Sequence, residues 1–455
     1  MLHGSNRKIA LLLFLGVYLF SGLSRVGTSF DSRWTVYIAM SLWRDHDTNL
    51  DEYKDAMRET HWYALECVDA RGNVEVLKAD TCKGHWYNSY PIGGPFLSTP
   101  LIVAAVGVMH ALHPAIGRFH SSDPNLQGFF DADFDKAHAV IEMEVASAFL
   151  AAAAVVIFWI GGMFLQRNRA VWLALLFALG TSAYSTAGRG MWQHTPSVLL
   201  LAIIIYLLLR AEQRPRLAAW AGLPVALAFT VRPTDSLFVV IFTAYVAVRH
   251  RKYLLPYLLA AAPVAAIFLA YNFSVYHQMF SPYYHSDLKG FFPHYWPRWG
   301  LGLAGDLVSP SRGLLIYTPV FLLSIWSMIR REWNTPLSPW LASLALLHWL
   351  VVAAYISSWW GGHCYGPRFF TDMTPIFTLF LIPYFADWDR MRAAGRAAFL
   401  ALVLIGAAIH LRGGWSSAVY RWNIDPANVD MHPERNWDWS DPQFLRTQSR
   451  EHSFH

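Results

Sequence analysis

The stretch SSWWGGHCYGPRFFTD, residues 357–372, sets two tryptophans, two glycines, a histidine, a tyrosine, an arginine and an aspartate between two apolar runs. Trp359 and Trp360 alone would make an aromatic belt at a membrane interface. A belt does not require His363, Tyr365, Arg368 and Asp372 beside it. Gly361 and Gly362 let the backbone approach a ligand closely, aromatic faces suit the C–H face of a sugar, and His363 and Arg368 offer donors to phosphate or hydroxyls. The chemistry on offer is the binding of a polar, sugar-like or phosphorylated ligand.

Other residues extend that chemistry. Asp31, in FDSRW, stands two residues before Arg33, so a carboxylate poised as general base would have an arginine beside it to pair with phosphate. Asp31 reads equally well as the N-cap of a following helix. Arg189 and His194 in GRGMWQHTP, and Arg232 and Asp235 in TVRPTD, fall at the ends of apolar runs. Asp235 is a local partner for Arg232; Arg189 and His194 have none nearby in sequence, which points them toward a ligand. Arg312, in SPSRGLLIYTP, lies where a helix start could hold phosphate, the alternative being an arginine that snorkels to the interface. No HExxH or CxxC spacing is present, so no metal site and no cofactor are expected, with metal dependence left open.

The elements that must position these residues are membrane-like. Of 455 residues, 55% are hydrophobic and 15% charged, and the apolar ones gather into repeated runs of roughly 20, enough to cross a bilayer core. These lie at 9–25, 96–112, 139–165, 171–187, 195–209, 217–231, 235–249, 253–272, 314–329, 338–356, 373–387 and 396–411. The net charge of +5 comes from short clusters between runs, at 166–169, 210–216, 248–252, 329–332 and 389–396. Positive-inside topology explains these clusters, and a nucleic-acid surface does not. They mark the cytosolic side, and the candidate site residues lie opposite. Counted as full crossings, the runs return the C-terminus to the side of the N-terminus, whereas the clusters place it outside; the suspects are 96–112, as a partial insertion, and 139–165, which is long and carries Glu142 and Glu144.

The expected fold is thus an all-α polytopic membrane protein with one transmembrane unit, 1–411. It carries a first extracytoplasmic loop at 26–95, a later one at 273–313, and an extracytoplasmic tail at 412–455 that covers the outer loops or binds acceptor. Trp34, Ile38 and Leu42 recur at helical spacing, which predicts a helix lying on the membrane surface. Cys67 and Cys82 share the first loop; in an oxidising compartment they could pair, and two unpaired thiols are the alternative.

These segments together resemble the GT-C superfamily of membrane glycosyltransferases, including protein O-mannosyltransferases and lipid A aminoarabinose transferases. The resemblance rests on the acidic residue after the first span (FDSRW), the proline-containing re-entry NSYPIGGP, and STAGRGMWQHTPSVLLL, SPSRGLLIYTP and WWGGHCYGPRFFTD. Relatives often carry a second acidic residue before the prolines, where this chain has Asn88, Ser89 and Tyr90. The resemblance implies a bundle of about 11–13 transmembrane helices in the cytoplasmic membrane, with its site on the extracytoplasmic face. It implies a hexosyl- or pentosyltransferase of the cell envelope that takes sugar from a polyprenyl-phosphate donor to a lipid, glycan or protein acceptor. Asp31 would be the base of a direct inverting displacement, Arg33, Arg232, Arg312 and Arg368 would hold the leaving phosphate, and Trp359, Trp360, His363, Tyr365, Asp372, His194 and Arg189 would bind sugar or acceptor. A lipid-linked sugar flippase, or an oligosaccharide ligase or polymerase, is the competing expectation.

Overall fold

A computed structural model of the chain describes residues 4–24, 26–27, 30–284, 296–355 and 358–447. The protein is mostly helical. Gly93–Ile116, Phe134–Gly161, His194–Ala211, Arg251–Tyr276, Arg368–Ala386 and Ala393–Trp415 are long and apolar enough to cross a membrane. Arg167–Leu179 and Ser182–Arg189, bent by 43°, make a seventh such span when taken together. Leu217–Val231, Phe321–Arg330 and Ser338–Ala353 are shorter apolar helices.

Side-chain size sets how these helices pack. The alanine-rich centre of Phe134–Gly161 is almost wholly buried, with Ala151, Ala153 and Ala154 at its core, because small side chains let neighbouring helices approach closely. Gly161 faces Ala170 and Leu173, and Gly188 faces Leu150. The first helix, Gly4–Gly22, buries Ala10, Leu13 and Val17 on this core and turns Leu11, Leu12 and Leu19 outward. Outward leucines along an isolated helix face suit lipid contact.

The basic clusters meet at one end of the bundle. Arg169 donates to the carbonyls of Phe385 (3.1 Å) and Ala386 (2.8 Å) and pairs with Asp389, while Arg249 pairs with Glu212 at 2.8 Å. Phe164 packs edge-on against Trp333. Asp31, Tyr90, Arg232 and Arg368 gather at the opposite end.

The Gly93–Ile116 helix does not run between these ends. Gly93 abuts Thr230 and Phe96 packs on Tyr271, both at the Asp31 end, and in its last turn His113 Nδ1 lies 2.8 Å from the carbonyl of Phe130, just before the helix that begins at Phe134. That second helix ends at Gly161 beside the basic cluster, so its start is also at the Asp31 end. Both ends of Gly93–Ile116 therefore contact residues at the Asp31 end.

The first loop departs from expectation. Trp34–Arg44 is a helix, but every residue from Trp34 to Ser41 is buried, packed between the Gly93–Ile116 and Phe134–Gly161 helices and a small sheet, so it is not a helix lying open on a membrane surface. The sheet, which hydrophobic spacing did not announce, has three antiparallel strands in the order β2-β1-β3: β1 is Leu65–Val68, β2 Val74–Glu75 and β3 His85–Asn88. Cys67 stands opposite Glu75 and Trp86 and forms a disulfide with Cys82. The sheet and its flanking turns make a lid over the Asp31 turn.

Candidate active site

Asp31 occupies the turn that precedes Trp34–Arg44. It does not cap that helix: Arg33 holds the N-cap position, and the Asp31 carboxylate points elsewhere. Its Oδ2 accepts from Arg368 Nη2 at 2.9 Å and its Oδ1 accepts from the Tyr63 hydroxyl at 2.6 Å.

Arg368 is the hub. Its guanidinium lies 3.7 Å from the centre of the Trp192 ring, Nη1 donates to the carbonyl of Gly361 at 3.0 Å, and Nε donates to His194 Nε2 at 3.3 Å. Gly361 and Gly362 have φ of 75° and 65°, a left-handed turn that side chains disfavour, and the turn aims the Gly361 carbonyl at Arg368. On the other side of the ring, His194 Nδ1 lies 2.8 Å from Asp372 Oδ1 and 3.0 Å from Arg232 Nη1. Asp372, fully buried, also pairs with Arg232. A chain of contacts therefore runs Asp31, Arg368, His194, Asp372, Arg232. Asp235 does not pair with Arg232 here; its Oδ2 accepts from Ser197 at 2.7 Å.

Two hollows meet at Asp31. The larger, a cleft of about 280 Å³, is lined by Asp31, Tyr90, Arg232, Tyr283, Tyr355, Gly361, Gly362, Arg368 and Phe369, with Val351 and Val352 on its apolar side. The smaller, about 20 Å³, lies under Asn88, Pro91, Gly94, Pro95, Trp192 and Gln193 and shares Asp31, Tyr90, Gln193 and Arg368 with the first. The proline-containing re-entry thus forms the wall of the second hollow. Burial and the Asp31 charge push the Tyr63 and Tyr90 phenols well above their usual range, so both stay protonated as donors.

Several sequence candidates lie outside this cleft. Arg312 spends all of its N–H groups inside the protein. Nε donates to Trp360 O (2.8 Å), Nη1 to Ser311 O (2.9 Å) and Gln443 Oε1 (2.6 Å), and Nη2 to Gly362 O (3.3 Å) and Asn423 Oδ1 (2.7 Å). It clamps the C-terminal tail to the 358–367 segment and is not placed to bind phosphate. Arg33 lies against the rings of Phe30 and Trp34, away from both hollows. Arg189 is buried against Tyr184 and donates to Ser21 O at 2.6 Å, joining the first helix to its neighbour. Trp359 and Trp360 are nearly buried in a cluster with Trp422, Val429 and Trp437 of the tail, and Trp360 Nε1 donates to Asp430. His363 Nε2 lies 2.9 Å from Asn428 Oδ1, and the Tyr365 hydroxyl donates to Ile409 O at 2.8 Å. These partners hold the four side chains away from the cleft, and Ser358, Gly361, Gly362, Arg368 and Phe369 of the segment line it. His194 and Asp372 support Arg368 and Arg232 from behind and do not line the cleft themselves.

Residues the sequence did not single out complete the site. Tyr63 touches Asp31, Trp192 stacks on Arg368, and Tyr283, Tyr355 and Phe369 wall the cleft. Glu142, whose only signal was a carboxylate within an apolar run, bridges two parts of the site: its Oε1 accepts from both Ser32 Oγ (2.5 Å) and the Met191 N–H (2.7 Å). It thereby ties the residue after Asp31 to the residue before Trp192. Among the described residues no group of three or more His, Cys, Asp and Glu side chains converges as a metal-ligand set. Comparison with protein-family models, with curated proteins and with solved structures finds no match for this chain.

Proposed function

We propose that the protein is a membrane glycosyltransferase of the GT-C kind, moving a hexosyl or pentosyl group from a polyprenyl-phosphate donor to an acceptor hydroxyl on the extracytoplasmic face. The observation that carries this reading is the Asp31–Arg368 pair at the junction of two hollows, with Arg232 lining the larger one. One carboxylate and two arginines suit a reaction that needs a base and an anionic leaving group.

In this reading the donor phosphate lies in the larger cleft against Arg368 and Arg232, and the acceptor hydroxyl approaches Asp31. Asp31 accepts the hydroxyl proton as the oxygen attacks the anomeric carbon, and the bond to the phosphate oxygen breaks with its electron pair staying on phosphate. The arginines stabilise that developing charge, and a phosphate leaving group needs no general acid. His194 and Asp372 hold the two arginines in orientation, so little reorganisation accompanies the reaction. The positive-inside tendency supports a cytosolic position for the end that carries the basic clusters, with the site on the other side.

The test is transfer in membranes supplied with a radiolabelled polyprenyl-phosphate sugar. Asp31→Asn should reduce transfer by about 10²–10⁴-fold, the usual worth of a general base. Full transfer by that variant at normal expression would remove Asp31 from the reaction and with it this reading.

A further inference from the structure

We propose that Tyr63 is a positioning residue for Asp31, delivered by a strained turn of the lid. This rests on the reading of Asp31 as the base. Tyr63 and Arg368 each take one carboxylate oxygen of Asp31, which fixes the rotation of the group while leaving lone pairs to accept a proton.

The backbone around Tyr63 supports a role beyond packing. His61, Trp62 and Ala64 have φ of 49°, 55° and 58°. Left-handed backbone is costly for residues that carry a Cβ, and three such residues within four positions persist only where surrounding structure over-determines them. Here it does. The Ala64 carbonyl accepts from both the N–H (2.9 Å) and the hydroxyl (3.0 Å) of Ser89, Trp62 N–H donates to Met57 O at 2.9 Å, and β1 begins at the next residue with its disulfide. The Tyr63 carbonyl accepts from Trp34 Nε1 at 2.9 Å, so the turn is fastened to the helix that follows Asp31. The lid thus grips the Asp31 segment through both the main chain and the side chain of one residue. Tyr63 also lies in ring contact with Phe30, so removal of its hydroxyl leaves the packing in place.

The experiment compares Tyr63→Phe with Tyr53→Phe, a lid tyrosine packed on Tyr37 and Phe134 with no contact to Asp31. In the transfer assay Tyr63→Phe should lower kcat about tenfold to a hundredfold, the worth of a hydrogen bond to a charged group, at unchanged KM for the lipid donor. Tyr53→Phe should leave both unchanged. Unaltered kcat in Tyr63→Phe, or equal losses in the two variants, would overturn the proposal while Asp31→Asn still reports on the reaction itself. A second readout needs no reaction: backbone hydrogen exchange at residues 61–65 should quicken in both Tyr63→Phe and Asp31→Ala, since each removes the same bond. Unchanged exchange in both overturns the proposal even if no donor supports transfer.

Discussion

Replacing Arg312 with methionine separates a structural clamp from a phosphate ligand. Arg312 is 2% exposed, and its partners divide between the 358–367 segment and the tail. On the tail side it donates to Gln443 Oε1 and Asn423 Oδ1 and lies 5.4 Å from the Trp422 ring centre. Hydrogen bonds from a charged donor contribute about 1.5–3 kcal/mol each. Two of them place the cost of Arg312→Met to tail docking at about 3–6 kcal/mol. Gln443 Oε1 keeps donors from Gly366 N–H and the Tyr317 hydroxyl, which favours the lower part of that range, whereas Asn423 Oδ1 loses its guanidinium. Methionine fills much of the arginine's volume, so the loss is of polar pairing more than of packing. At 1.4 kcal/mol per factor of ten, amide exchange across residues 417–447 should quicken by about 10²–10⁴-fold while the Phe134–Gly161 helix keeps its protection. The concentration of lipid donor giving half-maximal transfer should stay unchanged. Unaltered exchange in the tail together with a tenfold rise in donor requirement would refute the clamp and restore Arg312 to the phosphate.

Two further predictions follow from buried carboxylates. Glu142→Gln keeps the oxygen that bridges Ser32 and Met191 and should retain most transfer, whereas Glu142→Ala opens the bridge and should lower kcat by about tenfold or more, one charge-assisted hydrogen bond's worth; equal loss in both variants would show that charge, and not geometry, matters there. Glu66, on β1 of the lid, has a buried oxygen with no hydrogen-bond partner among the described residues, and burial pushes its carboxyl up from 4.5 to about 7. The folded state therefore binds the proton more tightly than the unfolded chain. Stability of the lid should fall as pH rises from about 4.5 to about 7 and stay level above it. Glu66→Gln should flatten that slope in thermal melts, and an unchanged slope would place its origin elsewhere.

Much of the architecture could be read from composition and spacing, because lipid demands long apolar helices and charge asymmetry orders their ends. The apolar runs, the common end of the basic clusters and the grouping of Asp31, Arg232 and Arg368 at the other end all follow from one-dimensional patterns. What those patterns could not decide was direction. Gly93–Ile116 has the length and hydropathy of a crossing, yet both of its ends contact residues at the Asp31 end, through Thr230, Tyr271 and Phe130. The three-stranded lid escaped notice because its strands are two to four residues long, too short for alternation to show.

The identity of site residues shows the same boundary. An arginine, a histidine or a tryptophan at a helix end has the right chemistry whether it meets a ligand or another part of the chain. Sequence determined that Arg312, Trp359, Trp360 and His363 need polar or aromatic partners. Only the tertiary structure decided that the tail supplies those partners, through Gln443, Asn423, Trp422, Trp437 and Asn428, while Arg368 and Arg232 are held by His194 and Asp372 at the edge of an open cleft. The reason is that burial of a charge depends on which distant side chain arrives beside it, a contact made across more than a hundred residues, as between Arg312 and Gln443, and invisible to any local pattern.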